Sequence, residues 1–143
     1  DTFNLRKQIE ALAKEYPDTF IYSDVWPYYR DVIAAMRKCA VVATDSGSMQ
    51  EEMNLLGVPC VTLRFGSDRS ESILAGANVQ APPIDTDFVV EIIRGAMHNQ
   101  AMMNVGNLYG ENVSSKIVDG VLARADNTLG LFQTEETRIG LSQ

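Results

Sequence analysis

The run Ala40-Val41-Val42-Ala43-Thr44-Asp45-Ser46-Gly47-Ser48 decides how this chain folds. Its apolar start shows no polar alternation. This predicts a short strand over Ala40–Ala43 covered on both faces, which favours a central place in a parallel sheet. The polar stretch from Thr44 ends the strand, and a helix is expected from about Met49 to Leu56. Gly57 suits the C′ position of that helix, and Pro59 follows just beyond it.

The pattern repeats on either side. Upstream, Leu5, Ile9, Leu12 and Tyr16 recur at helical spacing, with Asn4 as N-cap and Pro17 as the stop. Phe20-Ile21-Tyr22 reads as a short strand. Tyr28, Val32, Ala35, Met36 and Cys39 mark a second helix entered through Trp26-Pro27. Downstream, Cys60–Leu63 is the next strand and Arg64–Arg69 a polar loop. A short helix near Glu71–Leu74 and a weak strand around Val79 follow. Asp85 or Thr86 then caps a helix carrying Phe88, Val89, Ile92, Ile93 and Met97. After a turn-rich stretch from Gly106 to Asn112, the last helix holds Ile117, Val118, Val121 and Leu122. Strands alternating with helices through short loops imply right-handed crossovers, and so an α/β fold: a Rossmann-like doubly wound parallel sheet.

The 143 residues fit one domain, read as 1–124, followed by a tail over 125–143 without periodicity. That tail is expected to dock through Leu129, Leu131, Phe132 and Ile139. Apolar residues make up 45% of the chain, enough for a core without disulfide or metal staples. Twelve basic against 19 acidic residues give a net charge of −7, which argues against nucleic acid as a partner. A single bound phosphate is compatible with that charge, because backbone N–H groups can hold it. Cys39 and Cys60 lie in apolar surroundings and read as buried, reduced thiols. His98 stands alone and no zinc-ligand spacing is present, so neither metal nor cofactor is expected. No apolar run reaches the roughly 20 residues of a membrane span, and a cytoplasmic setting follows as the expectation. The chain begins with Asp1 and enters a helix almost at once, so it reads as cut from a longer protein.

In open parallel sheets, ligands bind beyond the carboxyl ends of the strands, where Asp45-Ser46-Gly47-Ser48 sits. Gly47 lets backbone approach a ligand, Ser46 and Ser48 offer hydroxyl donors, and the first helical N–H groups lack partners. Together they suit a phosphate or diphosphate, although the turn alone favours a plain Ser N-cap slightly, and it is the acids after it that tip the balance. Glu51 and Glu52 follow, placed by this reading in the first helical turn. A carboxylate beside a diphosphate would repel it unless it faced a neighbouring diol, which a ribose provides. Arg64 and Arg69 can neutralise phosphate, but surface pairing with Asp68 and Glu71 is favoured slightly. Trp26, Tyr28 and Tyr29 could wall a base, with packing of the helix start against the sheet favoured over it.

Thr44-Asp45-Ser46-Gly47-Ser48-Met49-Gln50-Glu51-Glu52, with Leu56-Gly57-Val58-Pro59 after it, resembles the UDP-N-acetylglucosamine 2-epimerase family. That family reads T-D-S-G-G-[IL]-Q-E-E followed by L-G-K-P. The likeness continues through Arg64–Glu71, against R-D-T-T-E-R-P-E, and Asn107–Glu111, against N-P-Y-G-D. Asn4-Leu5-Arg6 resembles its N-x-R before a helix. The resemblance implies a two-domain glycosyltransferase-B architecture with UDP-sugar in the cleft, this chain being the C-terminal, nucleotide-holding half. It implies diphosphate contacts from Ser46 and Gly47, ribose contact from Glu52 and an apolar wall near uracil from Val32. Ser48 departs from the family's second Gly, and its side chain either crowds the phosphate or adds a hydroxyl donor, while Arg69 belongs to the matching R-x-x-x-x-R stretch.

The family reaction interconverts UDP-GlcNAc and UDP-ManNAc for polysaccharide biosynthesis. A proton leaves C2 as UDP leaves C1, and UDP then adds back to the glycal. The proton-transfer carboxylates lie in the N-terminal half, so no catalytic residue is assigned here. The 143 residues are expected to bind UDP weakly and to epimerise nothing. The implied partners are a UDP-sugar, the missing N-terminal domain and a second subunit of the full enzyme. Ser70 and Leu108 depart from the family's prolines, which leaves the sugar less determined than UDP. A hydrolysing 2-epimerase and the donor domain of a glycosyltransferase share this half and stay open as alternatives. A receiver-like signalling domain is the reading from another class. Only Asp24 stands near its acidic pair, and Lys116 is the one late lysine.

Overall fold

Cys60, Val61 and Thr62 are buried on both faces, and the rest of the computed structural model is arranged around that three-residue strand. The structure describes residues 5–125. Three parallel strands, β1 (Val42–Thr44), β2 (Cys60–Thr62) and β3 (Asn78–Gln80), lie in the order β1-β2-β3. In register, Val42 faces Cys60 and Cys60 faces Asn78, while Thr44, Thr62 and Gln80 align at the carboxyl end. Seven helices surround them among the described residues: α1 (Leu5–Glu15), α2 (Tyr29–Met36), α3 (Gly47–Leu56), α4 (Ser70–Leu74), α5 (Thr86–Met97), α6 (Gln100–Met103) and α7 (Val113–Ala125).

The two-residue period of β2 divides the core. Cys60 joins Met36, Val42, Met53 and Val58, with Val32, Ile33, Met49 and Leu56 packed against them. Val61 points the other way, to Ala81, Ala96 and Met102, beneath Val89, Ile92 and Ile93 of α5. Helices therefore cover both faces of the parallel sheet, as a Rossmann-like doubly wound α/β fold requires. Each fully buried Val or Met contributes roughly 1.5–3 kcal/mol to that packing.

Local signals set most boundaries. Gly57 adopts φ +66°, and the N–H of Val58 returns to Met53 O at 3.0 Å, which closes α3. A β-carbon at Gly57 would also meet Met103 O at 3.2 Å. Asp85 caps α5 by accepting the Phe88 N–H at 2.9 Å.

Several expectations are corrected. Phe20-Ile21-Tyr22 forms no strand. Ile21 is 89% exposed, and the Tyr22 hydroxyl is held by Arg6 and Asp24 instead of the segment being held by a ladder. Strand β1 begins at Val42 and is an edge strand among the described residues, with Ala43 exposed; the central place belongs to β2. Helix α2 stops at Met36, so Cys39 lies outside it and is exposed, while Cys60 is buried as expected. Helix α3 starts at Gly47, which moves Glu51 and Glu52 from its first turn into its second. Tyr28 and Tyr29 are 58% and 63% exposed and do not pack on the sheet. The Asn4 cap and the docking of Leu129, Leu131, Phe132 and Ile139 lie outside the described residues. No described helix is long and apolar enough to cross a membrane, and no described group of three acidic, His or Cys side chains could hold a metal.

The two cysteines should therefore react differently. Burial pushes the Cys60 thiol up to about 11, whereas Cys39 is open to solvent. Titration with dithiobis(nitrobenzoate) near neutral pH is expected to modify Cys39 rapidly and Cys60 only after urea is added. Fast modification of both in the folded protein would contradict this packing.

Candidate functional site

Helix α3 opens beyond the carboxyl end of β1 with unfilled donors. Ser46 occupies the N-cap position in an extended conformation (φ −86°, ψ 130°), yet its hydroxyl makes no capping bond. Instead Ser46 Oγ lies 3.1 Å from Ser48 Oγ, and the Ser46 N–H donates to Thr44 Oγ1 at 3.0 Å. The plain N-cap use of this serine is thus not what forms. Among the described residues no side chain accepts from the first N–H groups of α3, and two hydroxyls stand at the same mouth. Asp68, from the loop after β2, reaches over this mouth: a β-carbon at Gly47 would lie 3.2 Å from its Oδ1.

Beneath the mouth lies a buried polar cluster centred on Gln50, which is 1% exposed. Its Oε1 accepts Ser67 Oγ–H at 2.7 Å and the Asn78 amide at 2.9 Å. Its Nε2 donates to Ser46 O at 3.4 Å. Asn78 Nδ2 is also 2.7 Å from Thr62 Oγ1. Ser67 Oγ accepts the Arg69 N–H at 3.0 Å, and Ser72 Oγ–H donates to Arg69 O at 2.8 Å. One side chain of α3 thereby ties its own entry turn to the loop after β2 and to β3. Four residues on, Asn54 holds the next loop: its Nδ2 donates to Gly106 O and its Oδ1 accepts the Leu108 N–H, both at 3.0 Å.

The charged groups above are divided unequally. Glu51 pairs with the Arg69 guanidinium, which holds Arg69 above its usual pKa. Arg69 Nη1 also lies 3.2 Å from Asp68 Oδ2, and Arg64 Nη1 lies 3.6 Å from Asp68 Oδ1. The favoured surface pairing thus occurs with Asp68, but Glu51 of α3 takes the place expected for Glu71. Glu52 has no ion pair among the described residues. It accepts one hydrogen bond, from the Tyr29 hydroxyl at 2.8 Å, and that bond raises the Tyr29 phenol above its ordinary value. Tyr109, on the loop held by Asn54, has a buried hydroxyl without a hydrogen-bond partner among the described residues. Burial first, then the negative charge of Glu71, pushes this phenol up to about 12.

Ser46, Gly47 and Ser48 form the mouth of α3, Arg69 reaches that helix through Glu51, and Glu52 lies one turn further along it beside Tyr29. An open groove of about 600 Å³ beside the loop after β2 is lined by residues 63–68 and Pro83, and by none of those five. Val32 sits deeper on α2, half-buried against the Met36–Met53 cluster. Sequence reasoning missed the part played by Gln50, Asn78, Asp68 and Asn54. The available signal was the pair Gln50 and Asn54, polar residues four apart on the face of α3 that also carries Met53.

Comparison with known proteins adds the following. The family model described as UDP-N-acetylglucosamine 2-epimerase matches residues 3–122. The UDP-2,3-diacetamido-2,3-dideoxy-D-glucuronate 2-epimerase of Pseudomonas aeruginosa is 32% identical over 96 residues, covering 67% of this chain and 27% of that protein. The crystal structure of UDP-GlcNAc 2-epimerase from Neisseria meningitidis bound to UDP-GlcNAc aligns with a TM-score of 0.66 at 27% identity, covering 85% of this chain and 33% of that one. The Methanocaldococcus jannaschii UDP-GlcNAc 2-epimerase in complex with UDP-GlcNAc and UDP gives a TM-score of 0.70 at 24% identity, with 85% and 31% coverage. The chain thus matches about a third or less of the length of these proteins.

Two substitutions test the buried polar groups. Gln50→Ala leaves Ser67 and Asn78 without their acceptor and is expected to lower stability by about 3 kcal/mol, read as a reduced urea midpoint. The folded protein holds the Tyr109 proton more tightly than the unfolded chain does, so deprotonation favours unfolding. The stability that Tyr109 contributes in this way is complete below pH 10.0 and is lost as pH rises towards about 12. Tyr109→Phe should remove the share of that fall that Tyr109 contributes, read in thermal-unfolding profiles against pH.

Proposed function

This chain belongs to the UDP-N-acetylglucosamine 2-epimerase family, and from that premise we propose that it is the UDP-holding part of a nucleotide-sugar 2-epimerase. The observation that carries the reading is the N-terminus of α3, uncapped among the described residues, flanked by two hydroxyls and followed by a carboxylate that makes no ion pair among them. In this reading Ser46, Gly47 and Ser48 receive the diphosphate on backbone N–H and hydroxyl donors. Glu52 accepts from the ribose diol. Arg69 exchanges its Asp68 contact for phosphate, and Val32 stands on the uracil side. UDP is common to the names of the P. aeruginosa and N. meningitidis relatives, whereas their sugars differ. UDP is therefore the part of the substrate assigned to this site.

The chemistry follows from the donors. When UDP departs from C1 of the sugar, negative charge grows on its terminal phosphate. N–H groups already oriented at a helix start stabilise that charge more than they stabilise the intact substrate, which lowers the barrier to cleavage. The same groups retain UDP while the glycal forms and then favour its return. Removal of the C2 proton needs carboxylates that this reading assigns to an N-terminal half. Interconversion of UDP-GlcNAc and UDP-ManNAc would belong to the two halves together, and the 143 residues alone would turn over nothing.

Isothermal titration with UDP tests this. Wild-type chain is expected to bind, and Ser46→Ala and Glu52→Ala are each expected to weaken UDP about tenfold or more, the loss of one hydrogen bond to a charged group. Absence of UDP binding, or equal binding to both variants and wild type, would sink the assignment. Detectable epimerisation by the isolated chain would overturn the proposed division of labour.

A further inference from the structure

The pairing of Glu52 with Tyr29 has a consequence for ribose recognition. Of the two adjacent acids on α3, Glu51 is engaged by Arg69, while Glu52 contacts only the Tyr29 hydroxyl among the described residues. Tyr29 is the first residue of α2 and comes to Glu52 from 23 positions away in the sequence. Its ring is 63% exposed, so no packing requirement places the phenol there. The O–H donates to Glu52 Oε1 at 2.8 Å, which uses one of the carboxylate's acceptor positions and leaves Oε2 open.

We propose that Tyr29 is a positioning residue for ribose: its hydroxyl orients the Glu52 carboxylate so that the open oxygen meets a vicinal diol, and its own oxygen accepts from one of those hydroxyls. This rests on the assignment of Glu52 to the ribose made above. A glutamate on a helix surface has three rotatable bonds, and ordering them on binding costs free energy. A phenol anchored at the start of a neighbouring helix meets that cost before the ligand arrives. A phenol oxygen donating to the carboxylate still has lone pairs, so the same atom can serve as acceptor for the diol. The arrangement selects for a ribonucleotide over its deoxy analogue, because only the former supplies hydroxyls to both acceptors.

The test is titration of wild-type chain, Tyr29→Phe and Glu52→Gln with UDP, 2′,3′-dideoxy-UDP and inorganic pyrophosphate, alongside thermal unfolding midpoints. Wild type is expected to prefer UDP to the dideoxy analogue. Tyr29→Phe should weaken UDP about 3- to 10-fold, bring the UDP to dideoxy-UDP ratio towards one and leave pyrophosphate affinity unchanged. Glu52→Gln should reduce the same ratio. If Tyr29→Phe keeps the wild-type ratio, or weakens all three ligands alike, Tyr29 has no ribose-directed role and the proposal falls while the site assignment stands. If wild type fails to distinguish UDP from dideoxy-UDP, the assignment of Glu52 fails and the proposal falls with it.

Discussion

The carboxamide of Gln50 is the constraint on which the rest of this structure depends. It lies beneath the turn that opens α3, against Asn78 at the start of β3, and it is almost wholly removed from water. An amide in that position must find its partners inside the protein or destabilise the fold. It finds Ser67 on the loop after β2, Asn78 at β3 and the backbone of Ser46 at the α3 turn. Satisfying this group therefore fixes the turn at Ser46 relative to the arginine-bearing loop. A purely apolar residue there could pack as well but would leave the relative position of those loops undirected.

Above that cluster, charge is allotted rather than accumulated. Arg69 stands between Glu51 and Asp68, and Arg64 faces the same Asp68. These pairs are partly exposed and contribute little to stability. Their effect is to hold two guanidinium groups near the α3 N-terminus in a chain whose net charge is −7. Glu52, left outside the ion pairs, is turned to Tyr29. The adjacent acids thus have different surroundings, as the proposed use of α3 for both an anion and a diol requires.

Much of this was legible beforehand. The apolar runs at 40–43 and 60–63, the Gly57 stop and the Asp85 cap locate the two strands and the helices that follow them to within a few residues. The turn at Ser46–Ser48 was recognisable from its residue types alone. Less was visible where local pattern and tertiary context disagree. Phe20-Ile21-Tyr22 has the composition of a strand but no ladder partner among the described residues, and α1 engages Tyr22 instead. The unbroken apolar run of β1 suggested the sheet centre, yet the doubly covered position went to β2. Cys39 continued a helical spacing that the backbone abandoned at Met36.

By itself, then, the sequence determined the alternation of strand and helix, and the donor-rich turn at the carboxyl end of β1, because both follow from short-range periodicity and residue type. Only the tertiary structure decided which strand is central, that Glu51 goes to Arg69 and Glu52 to Tyr29, and that Gln50 joins the loops. Those outcomes depend on side chains far apart in the chain being brought within hydrogen-bond reach. A pattern read along one segment carries no information about which distant partner will arrive there, and the geometry of the site is made by those arrivals.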